Sequence, residues 1–263
     1  MNAASMLAVQ SLHLTLGLRE VLRDVSFTLA RGELVGLVGA NGAGKSSLLR
    51  ICALLQSADR GVVTWQDGPA AALTPRQRAR ILAYLPQQAP VHWPLAVAHV
   101  IALGRLPHGG APGALSAADA AAVRAAAAAA DIDDLLERDV STLSGGECAR
   151  VMLARLFAGE APLLLADEPV AALDPQHQLR VMGLLREHAA RGGSCIVVLH
   201  DLALAARFCD RLLLLHEGAL LADGPPETVL VPSLLRTAFG IDAVLHDLDG
   251  IPQLRMTLPS ISL

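Results

Sequence analysis

The chain has 263 residues, 53% of them hydrophobic and 17% charged, with a formal net charge of -4 at pH 7. That length suffices for one large domain with a substantial core, and the mild acidity gives no basic face for a nucleic-acid partner, so none is expected. Its apolar runs, such as residues 162–166 and 196–199, are strand-sized, and the alanine tract 120–130 is broken by Arg124. None reaches the roughly 20 residues that span a bilayer, so the chain is not expected to cross one. Residues 1–11 lack a basic start followed by an apolar core, so no secretory signal is read and cytoplasmic residence is expected. The four cysteines, Cys52, Cys148, Cys195 and Cys209, form no C-x-x-C pair and read as packing residues.

Residues 7–16, 25–29 and 61–65 alternate or concentrate β-branched and aromatic residues between turn signals, which predicts an antiparallel edge lobe. Residues 33–38 form an apolar strand ending in glycine, and 45–55 carry a helical pattern. Between them, Gly39-Ala40-Asn41-Gly42-Ala43-Gly44-Lys45-Ser46 matches G-x-x-x-x-G-K-[ST] in the strand, loop, helix context the motif requires. Its glycines let backbone amides turn toward anionic oxygens, and the helix start adds positive potential. Lys45 is placed to neutralise β and γ phosphates, Ser46 to ligate Mg²⁺ and Ser47 to bond a phosphate nearer the base.

From 90 to 136 strand signals thin out and a helical insertion is predicted, with Ser116 and Asp119 reading as a capping box. Leu143-Ser144-Gly145-Gly146-Glu147 then precedes a helical pattern over 148–156 and fits either a second anion cradle or a capped helix start. The apolar run 163–166 ends in Asp167-Glu168-Pro169, and strand alternation sends one carboxylate toward a Mg²⁺ shell and the other toward an attacking water. Alone, that ending equally suits acids at a surface strand end. Asp174 and Pro175 open a helix that Gly192 and Gly193 stop, and the strand 194–199 leads to His200. Strands alternating with helices imply a largely parallel sheet. Turns at Glu217-Gly218 and Asp249-Gly250 mark a small appended lobe over 212–263.

This set of segments, in this order and over nearly the whole chain, resembles the ATP-binding subunits of ABC transporters. The resemblance implies an α/β fold: a P-loop NTPase core with a mainly parallel sheet, an antiparallel β lobe and a helical insertion. It implies a single ABC-type domain over 1–263, with core and β lobe at 1–87 and 158–218, a helical subdomain at about 88–157 and a small C-terminal lobe at about 219–263. The cofactors it implies are ATP and Mg²⁺, bound by Gly39, Ala40, Asn41, Gly42, Ala43, Gly44, Lys45, Ser46 and Ser47. Ser144, Gly145, Gly146 and Glu147 resemble the signature loop, which binds the γ-phosphate of ATP held by a partner subunit. Gln87, in Tyr84-Leu85-Pro86-Gln87, resembles the Q-loop glutamine, with Gln88 beside it as the other choice. Ser46, Gln87 and Asp167 are then the metal ligands, Glu168 orients water, His200 is the switch histidine, and Asp174 belongs to the D-loop. The implied partners are a second copy in a homodimer, polytopic permease subunits and, indirectly, a periplasmic or surface solute-binding protein. The implied location is peripheral, on the cytoplasmic face of the inner membrane.

Two positions depart from the family pattern. Leu16 stands where many relatives stack an aromatic ring on adenine, so the resemblance implies a weaker, less base-selective aliphatic contact between Leu16 and the nucleotide base, and Ala171 replaces a D-loop serine. Residues 100–108 and Asp223-Gly224-Pro225-Pro226 resemble the ATPases of importers for iron chelates, haem and cobalamin. His108 reads either as a haem or metal ligand or as a helix-end residue. His13, His92, His99, His177, His188, His216 and His246 show no metal-ligand spacing. The alternatives are a soluble ABC-superfamily ATPase with a mechanical role, an exporter ATPase or a plain P-loop kinase. The single phosphate loop without a heptad-rich insertion weighs against the first, and Leu143–Glu147 has no place in the last.

Overall fold

The computed structural model describes residues 5–66, 68–87, 94–110, 113–249 and 251–258; Gln88, His92 and Gly250 lie outside the described residues. The chain forms two compact units, one running to Ala72 and resuming at Leu185, the other Leu73–Leu184.

In the first unit β1 (Ser5–Leu16) and β2 (Arg19–Ala30) pair antiparallel. Leu22, Val25, Phe27 and Leu29 of β2 are buried between more exposed neighbours, the period of a sheet with one covered face. In β3 (Leu34–Val38) all five residues are buried, as in a strand covered on both faces. Helix α1 (Lys45–Cys52) is shorter than the predicted 45–55. Leu54 turns left-handed (φ 56°), its amide bonds Ile51 O and the Leu55 amide bonds Arg50 O at 2.9 Å, which closes the helix as a Schellman turn. β4 (Arg60–Trp65) returns antiparallel to β1 and carries β5 (Gly68–Pro69), completing the expected edge lobe. The Trp65 indole donates to Cys52 O at 3.2 Å and ties that lobe to α1.

The second unit opens with α2 (Pro75–Ile81), capped by a Thr74–Gln77 box, and β6 (Leu82–Leu85). The expected helical insertion follows as α3 (Val97–Ala102), a 3-10 segment Leu103–His108, α4 (Ala117–Ala130) and α5 (Gly145–Ala158). Val100, Ile101, Val123, Ala127, Val151 and Leu153 are buried in this unit. The capping box expected at Ser116 forms only in half. The Ser116 hydroxyl accepts the Asp119 amide at 3.1 Å, but the Asp119 carboxylate is taken by that hydroxyl and by Arg105, and Asp is one methylene shorter than Glu. Arg105 is 6% exposed and donates to Asp119 Oδ1 (2.8 Å), Ala158 O (2.7 Å) and Glu160 Oε2 (2.6 Å), fastening the 3-10 segment to α4 and to the end of α5. β7 (Leu163–Asp167) lies parallel to β6, and α6 (Pro175–Ala190) runs out of this unit.

Back in the first unit, β8 (Ser194–Val198) pairs parallel with β3. Beyond α7 (Leu202–Phe208), β9 (Arg211–His216) pairs parallel with the other edge of β3. β10 (Ala219–Gly224) adds antiparallel to β9 through a tight turn in which Glu217 and Gly218 both have positive φ. Short helices α8 (Pro226–Val229) and α9 (Pro232–Phe239) and the hairpin β11 (Asp242–Leu248) with β12 (Ile251–Thr257) follow. A mainly parallel sheet, an antiparallel lobe and a helical insertion are the architecture expected from the sequence.

Candidate functional site

In the first unit the chain leaves β3 at Gly39 and enters α1 at Lys45. Gly39 and Gly44 both require glycine. Gly39 has φ +151° and an added Cβ would meet Leu215 O at 2.2 Å; Gly44 has φ +104° and its Cβ would meet Val21 O at 2.8 Å. The loop is braced by Ala43, whose amide bonds Ala40 O at 3.2 Å and whose carbonyl accepts the Gly218 amide at 3.1 Å. Lys45 is 6% exposed, and its ammonium donates to Gly39 O (2.8 Å) and Ala40 O (3.0 Å). No side chain caps α1. The start of a helix carries positive potential, and Lys45, Ser46 and Ser47 form the first turn of this one. Asn41 and Gly42 are exposed.

His200 is exposed and follows β8 by two residues, so it and Gly39 leave neighbouring parallel strands at the same end, where ligands bind in open α/β sheets. Leu16, at the end of β1, is half exposed. The guanidinium of Arg19 reaches the Gly42 carbonyl at 2.9 Å, a contact no motif announced.

In the second unit β6 and β7 end side by side, Leu85 opposite Ala166. Asp167 closes β7 at 1% exposure. Glu168 is already outside the strand with φ +54°, so its direction comes from a left-handed turn and not from the strand alternation expected from the sequence. The Gln87 amide Nε2 donates to Glu168 Oε2 at 2.9 Å. Both line a cavity of about 360 Å³ with Gly145, Cys148, Ala171 and Ala172.

Ser144 is the N-cap of α5. Its hydroxyl accepts the Glu147 amide (3.3 Å) and donates to Glu147 Oε2 (2.7 Å), which also accepts the Ser144 amide (2.7 Å). The Ser144 backbone amide and hydroxyl hold the Glu147 carboxyl below the usual carboxylate range. Asp174 caps α6 as expected, accepting the His177 amide at 3.0 Å and its ring Nδ1 at 2.8 Å; these bonds, the backbone one first, lower its carboxyl pKa. His108 contacts Gly159 O at 2.9 Å, the helix-end alternative read from the sequence.

The family model described as ABC transporter matches residues 22–171. The chain belongs to the ABC transporter family. It is similar to the hemin import ATP-binding protein HmuV of Pseudomonas putida, 44% identical over 92% of this chain and 95% of that protein. The protein of the same name from Nocardia farcinica is 46% identical over 88% of this chain and 81% of its own length. A solved ATP-binding subunit of an ABC transporter superposes with a TM-score of 0.77 at 29% identity, covering 90% of this chain and 94% of that one. Within the ABC transporter family the chain is an ATP-binding subunit whose ATPase activity serves transport. Among the described residues no helix is long and apolar enough to cross a membrane, and an ABC transporter includes membrane permease subunits as this subunit's partners.

Proposed function

We propose that the chain hydrolyses ATP to drive import of haem or a related iron chelate. In this reading it works as half of a homodimer on the cytoplasmic face of the inner membrane, against a polytopic permease supplied by a solute-binding protein. The names of the relatives support the solute class, as do residues 100–108 and Asp223–Pro226. The ATPase part is carried by one observation: Lys45 rests on the carbonyls of a glycine loop where a helix begins, an arrangement suited to polyphosphate.

Phosphoryl transfer to water needs positioning and charge neutralisation more than covalent chemistry. Lys45 neutralises charge on the terminal phosphates, Glu168 polarises the attacking water while the Gln87 amide steadies its carboxylate, and His200 bonds the terminal phosphate. Ser144, Gly145 and Gly146 of one copy receive the terminal phosphate held by the loop of the other, and Asp174 lies in the dimer seam. The Ser46 hydroxyl, the Gln87 side-chain oxygen and the buried Asp167 carboxylate are hard oxygen donors of the kind Mg²⁺ takes. When bound there, Mg²⁺ supplies further neutralisation of the phosphates.

Reconstitution tests the reading. Co-expressed with its permease and extracted in detergent, the chain should co-purify at two copies per complex and support ATP-dependent haem uptake into liposomes. ATPase activity with no membrane protein co-purifying would instead favour a soluble mechanical role.

A further inference from the structure

We propose that Arg19 is the residue on which the nucleotide base stacks, in the place of the aromatic ring that Leu16 lacks. The proposal rests on the ATP-binding reading of the phosphate loop. Arg19 opens β2 directly after the Gly17 turn, and its Nη2 donates to the Gly42 carbonyl of the loop at 2.9 Å. The side chain is exposed, and among the described residues no carboxylate pairs with it, since the adjacent Glu20 faces His13 at 3.9 Å. Leu16 is 50% exposed and Leu18 wholly so, and neither offers a flat π surface.

A guanidinium is planar, permanently charged and stacks on aromatic faces. Its N–H donors lie in the plane, so the bond to Gly42 fixes the group at the rim of the loop and leaves the faces of the plane for a purine. Stacking of this kind uses the π face that every base has, so it grips ATP and GTP alike. Leu16 then contributes apolar contact only.

The experiment is a titration of the purified full chain with ATP and GTP, alongside steady-state ATPase kinetics, for Arg19→Ala, Arg19→Lys, Leu16→Ala and the double variant Arg19→Ala with Leu16→Tyr. Arg19→Ala is expected to weaken binding of both nucleotides by about tenfold, raising KM with kcat unchanged, as loss of uniform binding does. Arg19→Lys keeps the charge but loses the plane and stays near the alanine level, whereas the tyrosine in the double variant restores binding. Leu16→Ala changes affinity by less than about twofold, the scale of a small exposed apolar contact. Wild-type affinity in Arg19→Ala overturns the proposal, and so does full rescue by Arg19→Lys, which assigns the contact to phosphate charge. Lys45→Ala separates the two levels of the argument. Its loss of binding leaves the nucleotide reading standing whatever Arg19 does, and full-strength binding in that variant removes the reading itself.

Discussion

The side-chain amide of Gln87 and the carboxylate of Glu168 meet at 2.9 Å just beyond the ends of two adjacent parallel strands. The amide donates, so it orients one oxygen of the carboxylate. Replacing Glu168 by Gln keeps size and hydrogen bonding but removes the charge proposed to polarise the water. The expected result is retained ATP binding with kcat lowered by about 10²–10⁴-fold, the usual weight of a general base. Steady-state ATPase at the wild-type rate would sink the role given to Glu168.

Arg105 is buried against three acceptors, one of them the carbonyl that ends α5. Arg105→Met is expected to lower unfolding free energy by about 2–3 kcal/mol, below the full value of a buried pair because Glu160 is solvent-exposed. Urea denaturation of the purified chain measures it, and a midpoint unchanged from wild type would contradict the fastening role.

Acid should erase part of this contribution. The Ser116 hydroxyl, followed by the Arg105 guanidinium, holds the Asp119 carboxyl below its usual range. A depressed folded-state pKa contributes stability that is fully present above the unfolded value of about 3.9 and is lost as pH falls through the folded one. The stability gap between wild type and Asp119→Asn is therefore expected to be constant near neutrality and to close below about pH 4. Thermal melts across that range give the answer, and a gap that widens with acid would refute the assignment.

The thiols divide by burial. Burial pushes Cys52 and Cys209 up to about 12 and raises Cys195 further, whereas Cys148 is only half-buried and shifted less. Since the thiolate is the reactive form, native protein at pH 8 should release one equivalent of chromophore from a disulfide reagent, and denatured protein all 4. Because Cys148 lines the cavity of Gln87 and Glu168, its alkylation with a bulky maleimide is expected to slow ATP hydrolysis.

What could be read from the sequence was what local chemistry dictates. The glycine loop and its flanking strand and helix were legible because only glycine fits the backbone at Gly39 and Gly44, and Asp174-Pro175 announced α6 because caps are local. Tertiary competition hid the rest. Arg105 drew the Asp119 carboxylate away from its cap, α1 stopped early at a left-handed leucine, and Glu168 left the strand before alternation could aim it. The Arg19 contact with Gly42 spans 23 residues and has no pattern to betray it.

A left-handed backbone is unfavourable for any residue with a Cβ, and Glu168 adopts it at φ +54°. The penalty is about 1–2 kcal/mol relative to a relaxed conformation, and glycine would escape most of it. If Glu168 has its proposed role, the turn after β7 sets folding and turnover against each other at one position. Glu168→Gly is expected to melt several degrees higher than wild type while hydrolysing ATP far more slowly, as a residue retained for its reactivity at the expense of robustness should. A variant that melts lower would mean that the carboxylate holds the turn together more than the turn strains it.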